Sequence, residues 1–384
     1  LFDFEITHPQ GTTVLCPGTL APGGTSTSCS LSATLAPTYS AFAIAADTSW
    51  VRQPFTQAAG VDIVFYEAPQ GQLAASLDAG AVGAFMDWIT ALLGPYPYGK
   101  EMRVAGAPTA WLGFEHPANI VLRQNLPALN TSYGDTTMHV LMHEIIHQWA
   151  GDQTTLANTA DFVWKEATCE YLAYVFEDTQ GPPGHSDATR AYWHAIAPSA
   201  KYHPRPTDEP TPPVEQFYGD TYGPGPMVLY LQLEPLIGRD KVLEGISSFL
   251  AEPGVRGVAD LREALELASG EDLAAYFDAW VFGSGEPSWP SFSVTTLQMA
   301  DEVTVTVEQT GSELFGCAIE VDVTSANETV TALVNFGASP MSATAQTTVS
   351  LNGAVTGTTL DPRKRVIRQS KAATKGPPPK VWIF

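Results

Sequence analysis

This sequence has little positive charge and no long apolar run. Lysine and arginine supply 19 of its 384 residues against 41 aspartates and glutamates, which gives a formal net charge of −22. Because a phosphate surface would repel such a chain, we expect neither nucleic acid nor an anionic membrane as a partner. No apolar run approaches the roughly twenty residues that a membrane-spanning helix needs, so we expect no membrane span.

Cysteine is scarce as well, with four residues in the whole chain. Cys16 and Cys29 bracket a loop rich in glycine, proline, serine and threonine, which a disulfide could usefully close. Cys169 and Cys317 have no evident partner, and free buried cysteines are the alternative to any disulfide. We expect one disulfide and an exported protein, secreted or periplasmic. The sequence begins at Leu1 without a charged and apolar leader, so any export signal would have been removed or would precede it.

The composition excludes a disordered chain. Hydrophobic residues make up 44% of the sequence, enough at this length for a sizeable core in two or three domains. Apolar residues recur at helical spacing through the middle of the chain, and from Pro290 onward they alternate with polar ones between short turns. This pattern predicts a mixed helical and β protein that ends in a small β-sandwich.

The most informative stretch is HEIIHQW, which begins at His143. Apolar spacing predicts a helix over Thr136–Ala150, with Asp135 as its capping residue. In that helix His143 and His147 lie one turn apart on the same face, where two imidazoles can bind one metal ion. Glu144 beside them can take a proton from metal-bound water. The pattern arises by chance in about one chain in a hundred with so few histidines, so it outweighs an ordinary surface helix.

His139 lies one turn before His143 on the same face. Val140 stands where a second motif of this kind would need its glutamate. We therefore interpret His139 as a packed residue or as one that supports the metal ligands.

A third metal ligand should come from another element, because a catalytic zinc usually has three protein ligands and one position for water. Apolar spacing predicts a helix over Asp161–Asp178, with Asp161 as a plausible cap. Glu166 lies in this helix, in the segment WKEATCEY, and the spacing from His147 makes the pattern HExxH-x18-E. Glu170, one turn later, is the competing ligand. It could instead orient a ligating histidine or be a solvated helix charge.

These motifs resemble those of the gluzincin zinc aminopeptidases, the aminopeptidase N and leukotriene-hydrolase family. HQWAGD resembles the family's HQWFG, and WKEATCEY resembles its WLNEGFAEY. The resemblance implies one zinc ion with three ligands, His143, His147 and Glu166. It also implies that Glu144 is the general base. Lys165 stands where the family has asparagine and Ala167 where it has glycine, so these departures affect the fine geometry of the site.

A second resembling motif is WLGFEHPANIVLR, which is strand-like around Glu115. It lies where the family has GxMEN, an edge strand that lines the cleft. The resemblance implies that Glu115 binds the α-amine of the substrate by a charge-assisted hydrogen bond. An ordinary exposed strand glutamate is the alternative. Phe114 replaces the family's methionine, and His116, in place of its asparagine, is expected to be structural.

A third resembling motif is YGPGPMVLYLQLE, which begins at Tyr222 and is similar to the family's Y-x-K-G-A-x-V-L. Pro224 stands where lysine is usual. The resemblance implies that the Tyr222 hydroxyl stabilises the oxyanion as water adds to the scissile carbonyl. Tyr218 is the rival residue, and a packed aromatic side chain is the alternative for both.

The resemblance implies an α+β multidomain fold with a thermolysin-like catalytic domain. Residues 1–37 would be the last strands of an amino-terminal β domain, 38–288 the catalytic domain, 289–365 the β-sandwich and 366–384 a tail. The sequence contains no counterpart of the family's helical fourth domain. Either the protein is naturally short or the sequence begins part-way through the first domain.

Hydrolysis of a peptide bond by zinc-activated water is the expected reaction. Glu144 would take the proton of the water and pass it to the leaving amine, Tyr222 would stabilise the oxyanion, and Glu115 would hold the free amino terminus. We therefore expect a zinc metallopeptidase with peptide substrates, foremost an aminopeptidase. A zinc hydrolase with endopeptidase action or a non-peptide substrate is one alternative. An inactive zinc-bearing interaction module is another, although intact Glu144 and Tyr222 argue against it. The sequence indicates no oligomeric state.

Overall fold

The structure is a computed structural model, and it describes residues 2–31, 43–129, 131, 133–158, 161–203, 227–283, 287–311 and 313–369. Tyr218, Tyr222 and most of the predicted tail lie outside these ranges. Over the described residues the chain forms two compact units. One comprises residues 2–189 and 247–257, and the other comprises residues 190–246 and 258–369.

The first unit combines short strands with long helices. Its strands are β1 Phe2–Thr7, β2 Thr13–Leu15, β3 Thr19–Pro22, β4 Ser26–Leu31, β5 Ala45–Asp47, β6 Val51–Ala58, β7 Val61–Glu67, β8 Glu101–Ala107, β9 Gly113–Phe114, β10 Asn119–Arg123, β11 Thr155–Leu156 and β12 Val255–Arg256. Its helices are α1 Ala79–Leu93, α2 Thr136–Ile146 and α3 Phe162–Gln180, and α4 His185–Ile196 follows. Short 3₁₀ turns lie in this unit at Ala74–Ser76 and Leu126–Ala128, and the 3₁₀ turn at Ala197–Ser199 belongs to the other unit.

A five-stranded sheet in the first unit has the strand order β6-β7-β8-β10-β9. Strands β7, β8 and β10 run parallel, and the outer strands β6 and β9 pair antiparallel with their neighbours. Most residues of β7 and β8 are buried on both faces, which is typical of the central strands of a parallel sheet. Strand β9 therefore lies at the edge of the sheet.

The amino-terminal strands form a sheet of their own, in the order β1-β4-β3. Cys16 and Cys29 are joined by a disulfide, as predicted. Arg103 of β8 donates hydrogen bonds from Nη2 to the carbonyl oxygens of Cys16 at 3.0 Å and Gly18 at 2.6 Å. Leu15 packs into a buried apolar cluster with side chains of β7, β8 and β10. The amino-terminal segment is thus attached to the five-stranded sheet by both polar and apolar contacts.

The strand-like stretch around Glu115 is interrupted. Strand β9 ends at Phe114, and the backbone N–H of Asn119 donates to the carbonyl of His116 at 2.8 Å. Ala118 has a positive φ of 62°, which a continuous strand does not allow. Glu115 consequently lies in a tight turn directly after the edge strand, and β10 begins on the other side of that turn.

The regular part of α2 ends earlier than its apolar spacing predicts. Asp135 caps the helix as predicted, because its side chain accepts the backbone N–H of Met138 at 3.0 Å. The predicted end at Ala150 is wrong, since α2 stops at Ile146 and the N–H of Trp149 donates to the carbonyl of Ile146, three residues back. His147 keeps right-handed helical backbone angles, φ −56° and ψ −22°, so it stays one turn from His143.

The predicted helix around Glu166 is present as α3, but its predicted cap is wrong. The Asp161 side chain makes no capping hydrogen bond to α3. Its Oδ2 accepts the backbone N–H of Asn158 at 2.8 Å instead, so it closes the turn before the helix.

The remaining described chain contains four helices and two antiparallel sheets. The helices are α5 Val228–Ile237, α6 Arg239–Ala251, α7 Val258–Ser269 and α8 Ala274–Trp280. The strands are β13 Ser291–Met299, β14 Glu302–Thr310, β15 Cys317–Thr324, β16 Thr329–Gly337, β17 Thr344–Ser350 and β18 Gly357–Leu360. They pair in the orders β13-β14-β17 and β16-β15-β18. In β14 the residues Val303, Val305 and Val307 are buried, which is the alternation predicted from sequence.

The chain has the mixed α+β multidomain architecture that the sequence predicts. No helix among the described residues is both long and apolar enough to cross a membrane. The domain boundaries after residues 37, 288 and 365 stay predictions.

Candidate metal centre

Helices α2 and α3 pack antiparallel and bring histidines against glutamates. The histidines on one face of α2 and at its end are His139, His143 and His147. The glutamates of α3 that meet them are Glu166, Glu170 and Glu177. His147, at the end of α2, meets Glu166 near the start of α3, and His139 meets Glu177 near the end of α3. Pairing of the two helices thus produces an alternating row of imidazoles and carboxylates.

The three residues predicted as metal ligands converge at one end of this row. His143 Nε2 and His147 Nε2 lie 2.9 Å apart, and Glu166 Oε2 lies 3.2 Å from the first and 3.6 Å from the second. The other ring nitrogen of His147, Nδ1, lies 3.0 Å from the carbonyl oxygen of Ala150. A hydrogen bond from Nδ1 to that carbonyl leaves Nε2 as the lone-pair nitrogen that faces His143 and Glu166.

The spacing of these atoms fits a zinc ion. Zinc forms tetrahedral bonds of about 2.0–2.1 Å to imidazole nitrogen and carboxylate oxygen, so neighbouring ligand atoms lie about 3.4 Å apart. The three separations in the structure bracket that value. The donor set of two imidazoles and one carboxylate is also a common one for catalytic zinc. Glu166 is 23% exposed while both histidines are buried, so the site opens to solvent beside Glu166.

Glu144 lies beside the ligands as a buried carboxyl group. Its residue is 2% exposed, and within the described chain its Oε2 has no hydrogen-bond partner. Burial, the largest influence, raises the pKa of Glu144 to about 8, although the nearby His143 opposes the increase. Strand β9 lies against this carboxyl so closely that a Cβ atom on Gly113 would lie 2.8 Å from Glu144 Cγ. Glu144 thus has the burial and the near-neutral pKa of a proton-transfer group.

Glu170 orients His143 and is not a solvated charge. It is 1% exposed, with Oε1 3.0 Å from His143 Nδ1 and Oε2 3.0 Å from His139 Nε2. A carboxylate against the Nδ1 atom of a ligating histidine fixes the ring and raises the basicity of Nε2. Burial, the largest influence, would raise the pKa of Glu170, but His139 and His143 together outweigh it and hold the pKa well below its ordinary value.

His139 supports the ligands from behind and does not join them. Its Nδ1 lies 2.7 Å from Glu177 Oε1, and Glu177 Oε2 accepts the hydroxyl hydrogen of Thr189 at 2.7 Å. The ring of Tyr133 stacks on His139 at 4.0 Å. Burial lowers the pKa of His139, but Glu177 and Glu170 outweigh it and raise the pKa to about 9. His139 is therefore a buried imidazolium that neutralises the two carboxylates beside it.

Glu115 lies next to the ligands and pairs with a lysine. It is 5% exposed, so the alternative of an ordinary exposed glutamate is wrong. Its carboxylate belongs with Glu144 and His147 to a second group whose ligand atoms all lie within 4.8 Å of one another. Lys165 Nζ lies 3.0 Å from Glu115 Oε1 and 2.6 Å from Glu166 Oε1. Burial would raise the pKa of Glu115, but Lys165 and then His147 outweigh it and hold the pKa far below its ordinary value.

Gln148 connects the turn that contains Glu115 to the end of α2. Its Oε1 accepts the backbone N–H of Ala118 at 2.9 Å, and its Nε2 donates to the carbonyl of His116 at 3.1 Å. Tyr96 donates its hydroxyl hydrogen to the same Oε1 at 3.2 Å. These bonds hold the edge of the sheet against the metal-binding helix.

The structure brings together five of the six predicted site residues, namely Glu115, His143, Glu144, His147 and Glu166. The sixth, Tyr222, and its rival Tyr218 lie outside the described residues. The sequence motifs present Lys165 only as a departure from the family pattern and do not indicate Glu177. Glu177 had a usable signal, because it lies seven residues after Glu170 and therefore on the same face of α3.

This chain is similar in sequence to a known protein family and to two curated proteins. Residues 81–280, just over half of the chain, match the model of the Peptidase family M1 domain. Aminopeptidase 2 of Candida albicans is 26% identical over 208 residues, which cover 50% of this chain and 22% of that protein. Tricorn protease-interacting factor F2 of Thermoplasma volcanium is 27% identical over 156 residues, which cover 38% of this chain and 20% of that protein. The chain thus spans about a fifth of the length of these curated relatives.

A solved structure shares the fold over nearly the whole chain. The crystal structure of Legionella pneumophila aminopeptidase A in complex with aspartic acid superposes with a TM-score of 0.71 at 16% identity. The superposition covers 94% of this chain and 43% of that one. At this identity the likeness concerns the fold alone.

Proposed function

Since this chain belongs to peptidase family M1, we propose that it is a zinc-dependent aminopeptidase, which removes amino-terminal residues from peptides. The observation that carries the proposal is the convergence of His143, His147 and Glu166 beside the buried carboxyl of Glu144. An interaction module would have no need for a buried proton-transfer group at a metal site.

One zinc ion held by these three ligands would polarise the scissile carbonyl and supply water of lowered pKa. Glu144 takes a proton from the attacking water at its carboxylate and delivers it to the leaving amine. Glu170 and His139 keep the ring of His143 in place throughout. Glu115 accepts hydrogen bonds from the α-ammonium group of substrates that carry one. Tyr222, assigned by motif, donates a hydrogen bond to the oxyanion.

Replacement of the general base tests this proposal. We expect Glu144→Gln to retain zinc, because Glu144 is not a ligand, and to lower kcat/KM by at least about 10²-fold, the usual contribution of a general base. Zinc content by elemental analysis and hydrolysis of a panel of aminoacyl nitroanilides measure the two properties. Glu308→Gln, at an exposed position of β14, is the matched control. Parent-like hydrolysis by Glu144→Gln would show that the assigned base is wrong.

Tyr222 and its rival can be separated by a matched pair of variants. We expect Tyr222→Phe to lower kcat by about 10²-fold with little change in KM, because loss of one oxyanion donor affects the transition state. Tyr218→Phe should leave kcat near the parent value. Steady-state kinetics of both variants give the answer, and the reverse result would transfer the role to Tyr218.

An exported location, secreted or periplasmic, is a further part of this proposal. The Cys16–Cys29 disulfide supports it, because such bonds persist mainly in oxidising compartments. Recovery of the native chain from the reducing cytoplasm in cell fractionation would contradict it.

A further inference from the structure

Lys165 is a buried cation among the carboxylates of the site. Its side chain is 3% exposed, and its Nζ lies close to three polar atoms of the site: 2.6 Å from Glu166 Oε1, 3.0 Å from Glu115 Oε1 and 3.5 Å from His147 Nε2. A buried ammonium is costly unless it is paired, and here Glu115 and Glu166, two carboxylates that contact it, belong to the candidate metal centre.

The backbone leaves room for this lysine. A Cβ atom on Gly151, in the turn after α2, would lie 2.8 Å from Lys165 Cε and 3.5 Å from its Cδ. Gly151 also has a φ of 140°, a conformation that favours glycine. The turn after the metal-binding helix is therefore shaped around the aliphatic stem of Lys165, which holds its ammonium at Glu115.

The pairing changes what Glu115 can recognise. A substrate ammonium that binds Glu115 must either share the carboxylate with Lys165, where the two positive charges repel, or displace Lys165 from it. Displaced Lys165 would remain beside Glu166 and His147, still within the site. A substrate without a charged amine is not repelled by Lys165, and it leaves the ion pair between Lys165 and Glu115 intact.

We propose that Lys165 is a specificity-determining residue that pairs Glu115 from within the chain, so that peptides with an acylated amino terminus are bound nearly as well as peptides with a free one. This inference rests on the proposed function, since it concerns the substrate of the same site. It predicts a peptidase whose preference for a free α-amine is weak in the parent and becomes strong when Lys165 is removed.

Binding of two matched probes, leucinamide and N-acetylleucinamide, tests the inference without turnover. In the full-length protein with zinc content verified, we expect the two dissociation constants to differ by less than about tenfold. In Lys165→Met the charge of the lysine no longer opposes a substrate ammonium at Glu115, so the ratio of the two constants should shift toward leucinamide by at least about tenfold. Ligand-observed NMR titrations measure both constants even when binding is weak.

Three further variants control for folding and for the identity of the partner. Lys165→Gln keeps a hydrogen-bond donor at Glu115 and should shift the ratio in the same direction if Lys165→Met folds poorly. Lys241→Met, at an exposed lysine, should leave the ratio unchanged. Adding Glu115→Gln to Lys165→Met should abolish the shift, because position 115 then has no negative charge to attract the ammonium of leucinamide.

An unchanged ratio in both Lys165 variants, or a shift toward the acetylated probe, would overturn the inference. So would failure of both variants to bind either probe, or a parent protein that prefers leucinamide by more than about 100-fold. Peptide hydrolysis is measured in parallel. A parent protein with the expected binding ratio that hydrolyses no peptide would contradict the proposed function alone. One that hydrolyses free-amine peptides but prefers leucinamide by more than about 100-fold in binding would overturn this inference alone.

Discussion

Glu144 and Glu115 are two buried glutamates of one site with opposite electrostatics. Both are at most 5% exposed, so burial favours the neutral form in each. The pKa of Glu144 is raised to about 8, whereas Lys165 holds the pKa of Glu115 well below its ordinary value. One can therefore exchange a proton near neutral pH while the other stays a carboxylate. Sequence motifs point to both residues, but only the groups around each carboxyl determine whether it is protonated near neutral pH.

The raised pKa of His139 predicts a pH dependence of stability. Its pKa is about 9 in the folded protein against an ordinary value of 6.5, so its contribution is complete below pH 6.5 and is lost as the pH rises through about 9. We expect the stability advantage of the parent over His139→Gln to fall by about 3 kcal/mol across this range. Chemical denaturation of both proteins from pH 6 to 10 measures it. Parallel stability curves would mean that His139 is neutral in the fold.

At the scale of elements, the site depends on how α2, α3 and β9 meet. Local spacing predicts both helices and the turn-apart placement of His143 and His147, because a helical period is a property of a short segment. It cannot predict which glutamates of α3 face which histidines, since that depends on the direction and offset of the packed helices. Local spacing does not predict the interruption after β9 either, because the turn from Glu115 to Ala118 is held by Gln148 of another element.

Because β9 lies so close to α2, adding one methyl group at Gly113 should strongly reduce activity. In Gly113→Ala the new Cβ would overlap the carboxylate of Glu144, so either the edge strand or the general base must move. We expect activity to fall by about 10²-fold while zinc is retained, because small displacements of catalytic groups are costly. Kinetics and elemental analysis of the purified variant measure both.

Gly83→Ala in α1 is the matched control for that variant. Its added Cβ would meet only Ala58 Cβ at 3.7 Å and Thr56 Oγ1 at 3.8 Å, which are ordinary contacts. Alanine also favours a helix interior over glycine by roughly 0.5–1 kcal/mol, so this variant should be slightly more stable and fully active. Equal activity of the two alanine variants would mean that β9 does not restrain Glu144.

At the scale of the whole molecule, we expect metal binding to increase the stability of one of the two units. The candidate ligands all lie in the unit of residues 2–189 and 247–257. Zinc at about 1,000 times its dissociation constant would stabilise this unit by about 4 kcal/mol, because it binds only the folded arrangement. We expect a chelator to lower the midpoint of its thermal transition in calorimetry, and added zinc to restore it. An unchanged midpoint would indicate that the three ligands hold no metal.

The sequence by itself determined the metal-binding motif, the two helices that carry it and the alternating strands, because each follows from residues close together in the chain. It also identified the disulfide, whose cysteines bracket a short loop. Only the tertiary structure decided that Glu170 and His139 are buried supports, that Glu115 lies beside the ligands and that Lys165 pairs with it. Those contacts join residues from separate elements, and the free energy of a buried charge depends on what surrounds it in space, which no local pattern specifies.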